Sequence, residues 1–158
     1  MKPFLKDSSK PPFLAISRAV RRKNIPSLIE AYGRSEKLKR KTNLILILGC
    51  RDNTSKLDSQ QKDVFHNIFE MIDRYDLYGK VAYPKKHLSS QIPCLYRWAA
   101  SRGGLFVNPA LTEPFGLTLL EASSCGLPII STNDGGPQEI RSKCENGLLV
   151  DVTDINEL

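Results

Sequence analysis

Two glutamates, Glu113 and Glu121, stand on either side of an apolar segment that contains one glycine. The residue order predicts that a helix begins near Gly116 and Leu117. The first amides of a helix have no partner within the helix, and together with the helix dipole they bind phosphate groups. The two carboxylates can accept hydrogen bonds from hydroxyl groups, such as those of sugars. Each also has a structural alternative: Glu113 would complement the positive helix end, and Glu121 would be a helix surface residue.

A basic loop carries the second set of candidate groups. Arg18 and Lys23 follow an apolar run and precede Asn24, which is predicted to cap a helix. A guanidinium can hold a phosphate with two donors, and an ammonium adds a point charge. Taken alone, this loop is better explained as a solvated basic surface.

A third polar segment, residues 132–139, contains the pair Gly135 and Gly136. Glycine allows a positive φ or a close approach of backbone to a ligand. Taken alone, the pair indicates an ordinary turn between a strand and a helix.

Each of these segments follows an apolar run of strand length. The predicted strands are residues 13–17, 44–48, 81–83, 105–107, 128–131 and 148–150, with helical segments between them. The run 44–48 is apolar throughout, which is typical of a strand buried on both faces of a parallel sheet. We therefore predict an α/β fold, a single Rossmann-like domain with a parallel sheet of about six strands and helices on both faces. In such sheets ligands bind at the carboxyl ends of the strands, where all three polar segments lie.

The length of 158 residues fits one domain. Residues 1–12 are predicted to be an N-terminal extension or linker, and residues 13–158 the domain. Residues 154–158 resemble the first turn of a helix, so the domain is expected to be truncated at its C-terminal end. The net charge of +6 suits an anionic partner. Because basic and aromatic residues are not interleaved, nucleic acid is not expected as that partner.

The cysteine and histidine content narrows the class of protein further. Cys50, Cys94, Cys125 and Cys144 form no C-x-x-C pair, which favours reduced thiols and a cytoplasmic location. The 2 histidines exclude a histidine-rich metal site. No apolar run approaches the roughly 18 residues of a membrane span. The first twelve residues lack the apolar core of a signal peptide.

The three segments together resemble the retaining glycosyltransferases of the GT-B fold. Glu113 and Glu121, with the residues between them, match the E-x7-E element of that family, and Arg18 and Lys23 match its paired phosphate-binding cations. Residues 126–128 and 133–139 match the segment that follows. The resemblance implies that the chain is the C-terminal, nucleotide-sugar-binding half of such a fold.

Within this family the sequence is most similar to the sucrose-phosphate synthases. The similarity rests on residues 48–53, 75–85 and 107–110 and extends over nearly the whole chain from Phe13. Two positions depart from the pattern: Cys50 stands where asparagine is common, and Asn53 where an acidic residue is common. These departures would alter nucleotide contacts without changing the class.

The resemblance also implies roles for individual residues. Arg18 and Lys23 would neutralise the leaving diphosphate and Glu113 would bind a glucose hydroxyl, which makes these three the catalytic set. The implied donor-binding residues are Arg51, Phe115, Gly116, Leu117, Thr118 and Glu121, with Glu121 on the ribose and Arg51 near the nucleoside.

The implied reaction transfers glucose from UDP-glucose to fructose 6-phosphate with retention and gives sucrose 6-phosphate. Neither a metal nor another cofactor is expected, because the two cations do the neutralising. An upstream acceptor-binding domain of the full-length enzyme is the expected partner, and the isolated chain should turn over negligibly. One alternative is sucrose synthase or another GT-B hexosyltransferase. Another is a non-catalytic nucleotide-sugar-binding or regulatory module.

Overall fold

The computed structural model describes residues 2–158. Its strands are β1 Pro12–Ile16, β2 Asn43–Ile47, β3 Val81–Ala82, β4 Leu105–Asn108, β5 Ile129–Thr132 and β6 Gly147–Val150. Its α-helices are α1 Ile25–Arg34, α2 Glu36–Lys41, α3 Ser59–Arg74, α4 Ile92–Ser101, α5 Leu117–Ser124 and α6 Pro137–Cys144. Short 3₁₀ turns occupy Lys2–Phe4, Arg21–Lys23, Thr54–Lys56 and Ser89–Gln91.

The strands form one parallel sheet. Within the described residues its 6 strands have the order β3-β2-β1-β4-β5-β6. β1 lies between β2 and β4, with Leu14 opposite Ile45 on one side and Phe106 on the other. The chain therefore builds one half of the sheet outward from β1, returns to the centre and builds the other half from β4. This arrangement confirms the predicted α/β fold.

Apolar clusters cover both faces of the sheet. Alternate residues of β2 point to opposite faces, so Leu44 and Leu46 join one cluster and Ile45 and Ile47 the other. α1 and α3 supply the first cluster with Ile25, Leu28, Ile29, Tyr32, Val64, Phe65, Ile68 and Ile72. α4 and α5 supply the second with Tyr96, Ala99, Leu119 and Ala122. All five residues of β2 are buried, as the continuous apolar run predicts.

The N-terminal residues pack against the domain. Leu5 is buried, and the Lys6 amide donates to the Gly79 carbonyl at 2.9 Å. The Phe4 ring lies 5.0 Å from the ring of Tyr83. β1 also begins one residue before the predicted strand. Residues 4–6 thus cover the β3 edge of the sheet, and the division into 1–12 and 13–158 stays a prediction.

The last five residues, which were predicted to be the first turn of a helix, form a single turn. The Leu158 amide donates to the Asp154 carbonyl at 3.2 Å, which is one helical hydrogen bond. The Asp151 amide donates to the Glu157 carboxylate at 2.9 Å and draws this segment back toward the end of β6. Leu158 packs against the cluster that contains α1.

Candidate functional site

The loops after β1 and β4 meet at the carboxyl end of the sheet. These two strands are neighbours, and the chain leaves them in opposite directions across the sheet. The amide of Leu111 donates to the carbonyl of Arg22 at 3.0 Å and joins the two loops directly. A crevice at this switch in strand order is where open parallel sheets bind ligands.

An ion pair joins the same loops through their side chains. The ammonium of Lys23, the last residue of the 3₁₀ turn Arg21–Lys23, donates to Oε2 of Glu113. The exposed fractions are only 14% for the Lys23 side chain and 11% for that of Glu113. The structure therefore brings together two of the three predicted catalytic residues, which are 90 positions apart in the sequence.

Glu113 lies in a site built for an ionised carboxylate. Burial raises its pKa, but hydrogen bonds from Lys23, Asn108 and the Gly116 amide, with the charge of Lys23, lower it below its usual range. Asn108 donates to Oε2 at 3.0 Å, and the Gly116 amide reaches Oε1 at 3.3 Å. Oε1 thus holds one long backbone bond from the described part of the chain. A carboxylate oxygen has two lone pairs, so Oε1 can accept a further hydroxyl.

The glycine pair allows the loops after β4 and β5 to run side by side. Glu113 and Gly135 form a parallel bridge, and the Gly136 amide donates to the Glu113 carbonyl at 2.9 Å. Gly135 has a φ of 89°, and a Cβ there would lie 2.5 Å from that carbonyl oxygen. Whereas the sequence analysis considered a close approach to a ligand, the structure places the backbone of these glycines against another loop of the protein. It fixes the backbone that carries Glu113.

The start of α5 faces outward from this loop. Gly116 precedes the helix with a φ of 75°, and the amides of Leu117 and Thr118 occupy its first two positions, where intrahelical partners are lacking. Phe115 is 79% exposed and Leu117 is 66% exposed. Leu119 and Ala122 anchor the opposite side of the helix in the core. Phe115, just before the helix, and Leu117, at its first position, thus present two large apolar side chains to solvent beside the unpartnered amides.

Glu121 lies one turn further along α5 and is exposed. The hydroxyl of Tyr96, on α4, donates to its Oε2 at 3.1 Å. The ring of Tyr96 is buried against Phe106, and burial with the nearby charge of Glu121 raises the pKa of the Tyr96 hydroxyl. The sequence analysis did not single out Tyr96 and missed this bond. The signal available was a hydroxyl on a buried face, which needs a partner.

Arg18 is exposed in the loop that also carries Lys23. In the described part of the chain its guanidinium has no ion-pair partner, so the group is free to bind an anion. Asn24 occupies the predicted N-cap position of α1, but its side chain makes no capping hydrogen bond to a backbone amide. Its φ is 51°, and its side-chain oxygen accepts a hydrogen bond from the Ser27 hydroxyl at 2.6 Å.

Arg51 lies in the loop after β2 and is largely buried. Its guanidinium donates to the carbonyls of Tyr83 and Pro84 at 3.1 and 3.2 Å and lies 4.3 Å from the centre of the Phe65 ring. Burial lowers the pKa of this group. These contacts give Arg51 a structural role in holding the loops after β2 and β3. Its contact with a donor ligand stays a prediction.

A cavity of about 420 Å³ opens beside the loop after β3. Its lining residues include Pro84, Lys86, His87 and Trp98.

In residues 2–158 no three His, Cys, Asp or Glu side chains are grouped as metal ligands would be. A reaction without a metal stays a prediction. No helix in the same range is long and apolar enough to cross a membrane.

Comparison with known proteins gives the family. Residues 1–158 match the family described as group 1 glycosyl transferases. The chain belongs to this family. A sucrose-phosphate synthase of Arabidopsis thaliana, isoform 4, is 48% identical over 151 residues, covering 96% of this chain and 14% of that protein. The group 1 domain described here thus spans about one seventh of the length of that relative.

Solved structures agree with this assignment. Sucrose-phosphate synthase from Thermosynechococcus elongatus superposes with a TM-score of 0.77 at 28% identity, over 94% of this chain and 34% of that one. Anabaena HepE, solved in complex with UDP-glucose, gives a TM-score of 0.76 at 24% identity, over 95% and 37%. The predicted GT-B glycosyltransferase fold and the similarity to sucrose-phosphate synthases are therefore confirmed for this group 1 domain.

Proposed function

We propose that this chain is the donor-binding domain of a retaining glucosyltransferase that moves glucose from UDP-glucose to fructose 6-phosphate. The observation that carries the proposal is the Lys23–Glu113 ion pair, placed at the switch in strand order beside the open start of α5. The similarity to sucrose-phosphate synthases supports the acceptor and product. The UDP-glucose complex of HepE supports the donor.

In this proposal the diphosphate lies between the basic loop and the start of α5. The exposed guanidinium of Arg18 and the ammonium of Lys23 supply positive charge from one side. The amides of Leu117 and Thr118 supply hydrogen bonds and the helix dipole from the other. The leaving diphosphate gains charge as the glycosidic bond breaks, and donors fixed in advance stabilise that charge most effectively. The same two cations make a metal unnecessary.

The two glutamates would hold the sugars of the donor. Glu113 is ionised, and its Oε1 retains room for a glucose hydroxyl beside the Gly116 amide. Glu121, fixed by the Tyr96 hydroxyl, would accept hydrogen bonds from the ribose. The cavity beside the loop after β3 has room for the nucleoside, and Phe115 and Leu117 would cover the glucose.

A second domain would supply the acceptor site. The chain covers 34% of the sucrose-phosphate synthase structure that it superposes on, which supports such a division. Holding two reactants in place is worth about 7–11 kcal/mol, so the chain alone should bind UDP but turn over negligibly. A cytoplasmic setting is part of the proposal, and the free state of Cys50, Cys94, Cys125 and Cys144 supports it.

Calorimetric titration of the chain with UDP and with UDP-glucose tests the site. Arg18→Ala and Glu121→Ala each remove a charged hydrogen-bonding group, so each should weaken UDP binding roughly tenfold or more. Arg40→Ala is the matched control, because Arg40 is exposed on α2, which leads into the amino end of β2. Unchanged affinity in both test variants would refute the site. Titration with ADP-glucose tests the base.

A further inference from the structure

Asn108 connects the sheet to the site. It is the last residue of β4 and is 5% exposed. Its Oδ1 accepts a hydrogen bond from the Ala110 amide at 3.2 Å, and its Nδ2 donates to Oε2 of Glu113 at 3.0 Å. An amide group of the backbone can bond only to the oxygen of Asn108, so the side-chain nitrogen must face Glu113. The end of a rigid strand therefore supplies a fixed donor to the glutamate.

Oε2 of Glu113 receives two donors that differ in mobility. One is Lys23, an ammonium on a flexible four-carbon stem, and the other is Asn108, held at the end of a strand. An anion bound beside the loop would draw the ammonium away from Glu113. A buried, ionised carboxylate without a hydrogen-bond donor is unfavourable in free energy. Glu113 alone would therefore take up a proton or hold the Lys23 ammonium in place. With Asn108 in place, Oε2 remains bonded when Lys23 moves.

We propose that Asn108 is a positioning residue. It keeps the Glu113 carboxylate oriented and ionised while the Lys23 ammonium moves from Glu113 to a bound diphosphate. This inference rests on the proposed function. The charged side chain that contacts Glu113 is Lys23, from the loop after β1, while Asp134, from the loop after β5, contacts Glu113 through its backbone carbonyl. Asp134 is held by the Thr112 hydroxyl at 2.7 Å. Asn108 is uncharged and does not titrate, so its amide remains a hydrogen-bond donor to the Glu113 carboxylate at every pH at which that carboxylate is ionised.

Two substitutions separate its two hydrogen bonds. Asn108→Asp keeps an oxygen for the Ala110 amide but loses the donor to Glu113. Asn108→Ala loses both bonds. Asn43→Asp is the matched control, because Asn43 is also buried and also donates from Nδ2, to the Asp7 carbonyl at 2.8 Å. It begins β2, at the opposite end of the sheet.

Carbon-13 NMR titration of the Glu113 carboxyl in the ligand-free chain is the first readout. Removing the donor should raise the Glu113 pKa in Asn108→Ala relative to the unmodified chain, since a hydrogen bond to the charged form favours that form. The control Asn43→Asp should leave this pKa unchanged. The same Glu113 pKa in Asn108→Ala and the unmodified chain would overturn the inference, whether or not a nucleotide binds.

Calorimetric titration with UDP between about pH 8 and about pH 5 is the second readout. Asn108→Asp should bind UDP roughly tenfold more weakly near pH 8, because a donor to a charged group is replaced by a second carboxylate. The difference should narrow toward pH 5, since two adjacent carboxyls share a proton with a raised pKa and the protonated one again donates. A role limited to holding the Ala110 amide predicts no loss in Asn108→Asp.

The possible failures can be told apart. If the unmodified chain binds UDP and Asn108→Asp binds it equally at every pH, the inference is wrong and the proposed function stands. If the unmodified chain does not bind UDP, the proposed function is wrong and the role of Asn108 during diphosphate binding falls with it. Should Asn108→Asp not fold, Asn108→Ala still decides the matter through the Glu113 titration and its UDP affinity.

Discussion

Replacing Lys23 with methionine should destabilise the domain through the carboxylate that remains. The substitution keeps most of the apolar stem but removes the ammonium from Glu113, whose side chain is 11% exposed. Breaking a buried pair costs about 3–5 kcal/mol when the other charge has no partner. Glu113 keeps its bonds from Asn108 and Gly116, so the expected loss is about 2–3 kcal/mol at neutral pH.

The stability lost in Lys23→Met should depend on pH, and the pKa of Glu113 decides in which direction. In the unmodified chain the folded-state pKa of Glu113 is lowered, so its ionised form stabilises the fold above the unfolded pKa. That stability is lost as the pH falls through the lowered pKa. Without Lys23, burial should raise the folded-state pKa above its usual value. The ionised form then opposes folding at neutral pH, and the cost of Lys23→Met should shrink in acid.

Urea unfolding at neutral pH and near pH 4 measures the effect, and thermal unfolding should show a midpoint lower by about 4–12 °C. Lys39→Met is the matched control. The Lys39 side chain is also little exposed, at 13%, but its partner Glu36 is 87% exposed and becomes hydrated when the lysine is lost. That variant should lose less than about 1 kcal/mol. Equal losses in the two variants, or a loss in Lys23→Met that grows in acid, would refute the reasoning.

Three further substitutions test other contacts of the site. Gly135→Ala places a Cβ 2.5 Å from a backbone oxygen and should cost about 2–3 kcal/mol in urea unfolding, whereas Gly126→Ala, with positive φ but open space, should cost about 1 kcal/mol. Tyr96→Phe keeps the packed ring but releases Glu121, so calorimetry should show UDP binding weakened severalfold with stability changed by less than about 1 kcal/mol. Arg51→Leu removes two bonds to loop carbonyls and should lower stability by about 2 kcal/mol in thermal unfolding; loss of UDP binding without loss of stability would instead indicate a ligand contact.

The order of elements could be predicted because strands buried on both faces are continuous apolar runs. β2 is the clearest example, since all its residues are buried. α2 was not predicted. Its residues, Glu36–Lys41, include five charged side chains and one leucine, so no apolar face marks it as a helix. The Ser35 hydroxyl, which accepts from the Leu38 amide at 3.3 Å, was the remaining signal.

The sequence predicts which residues form the site better than it predicts the contacts between them. The residue types and their places after strands indicated Lys23 and Glu113, but sequence spacing carries no information that they touch. Asn108 lies in the segment 107–110 on which the resemblance rests, but no role was predicted for it, because a polar residue at a strand end resembles an ordinary turn residue. For Arg51 the resemblance implied a place near the nucleoside, and sequence spacing gave no sign that its guanidinium also ties two loops together.

The central position of β1 has a consequence for synthesis on the ribosome. β1 can pair with β2 as soon as residue 47 has emerged, but β4 begins only at Leu105. For that interval a half-built sheet exposes one row of unpaired amides and carbonyls along Pro12–Ile16. A nascent chain in that state can pair wrongly with another copy, so slowing translation between these points should increase aggregation unless a chaperone covers the open edge.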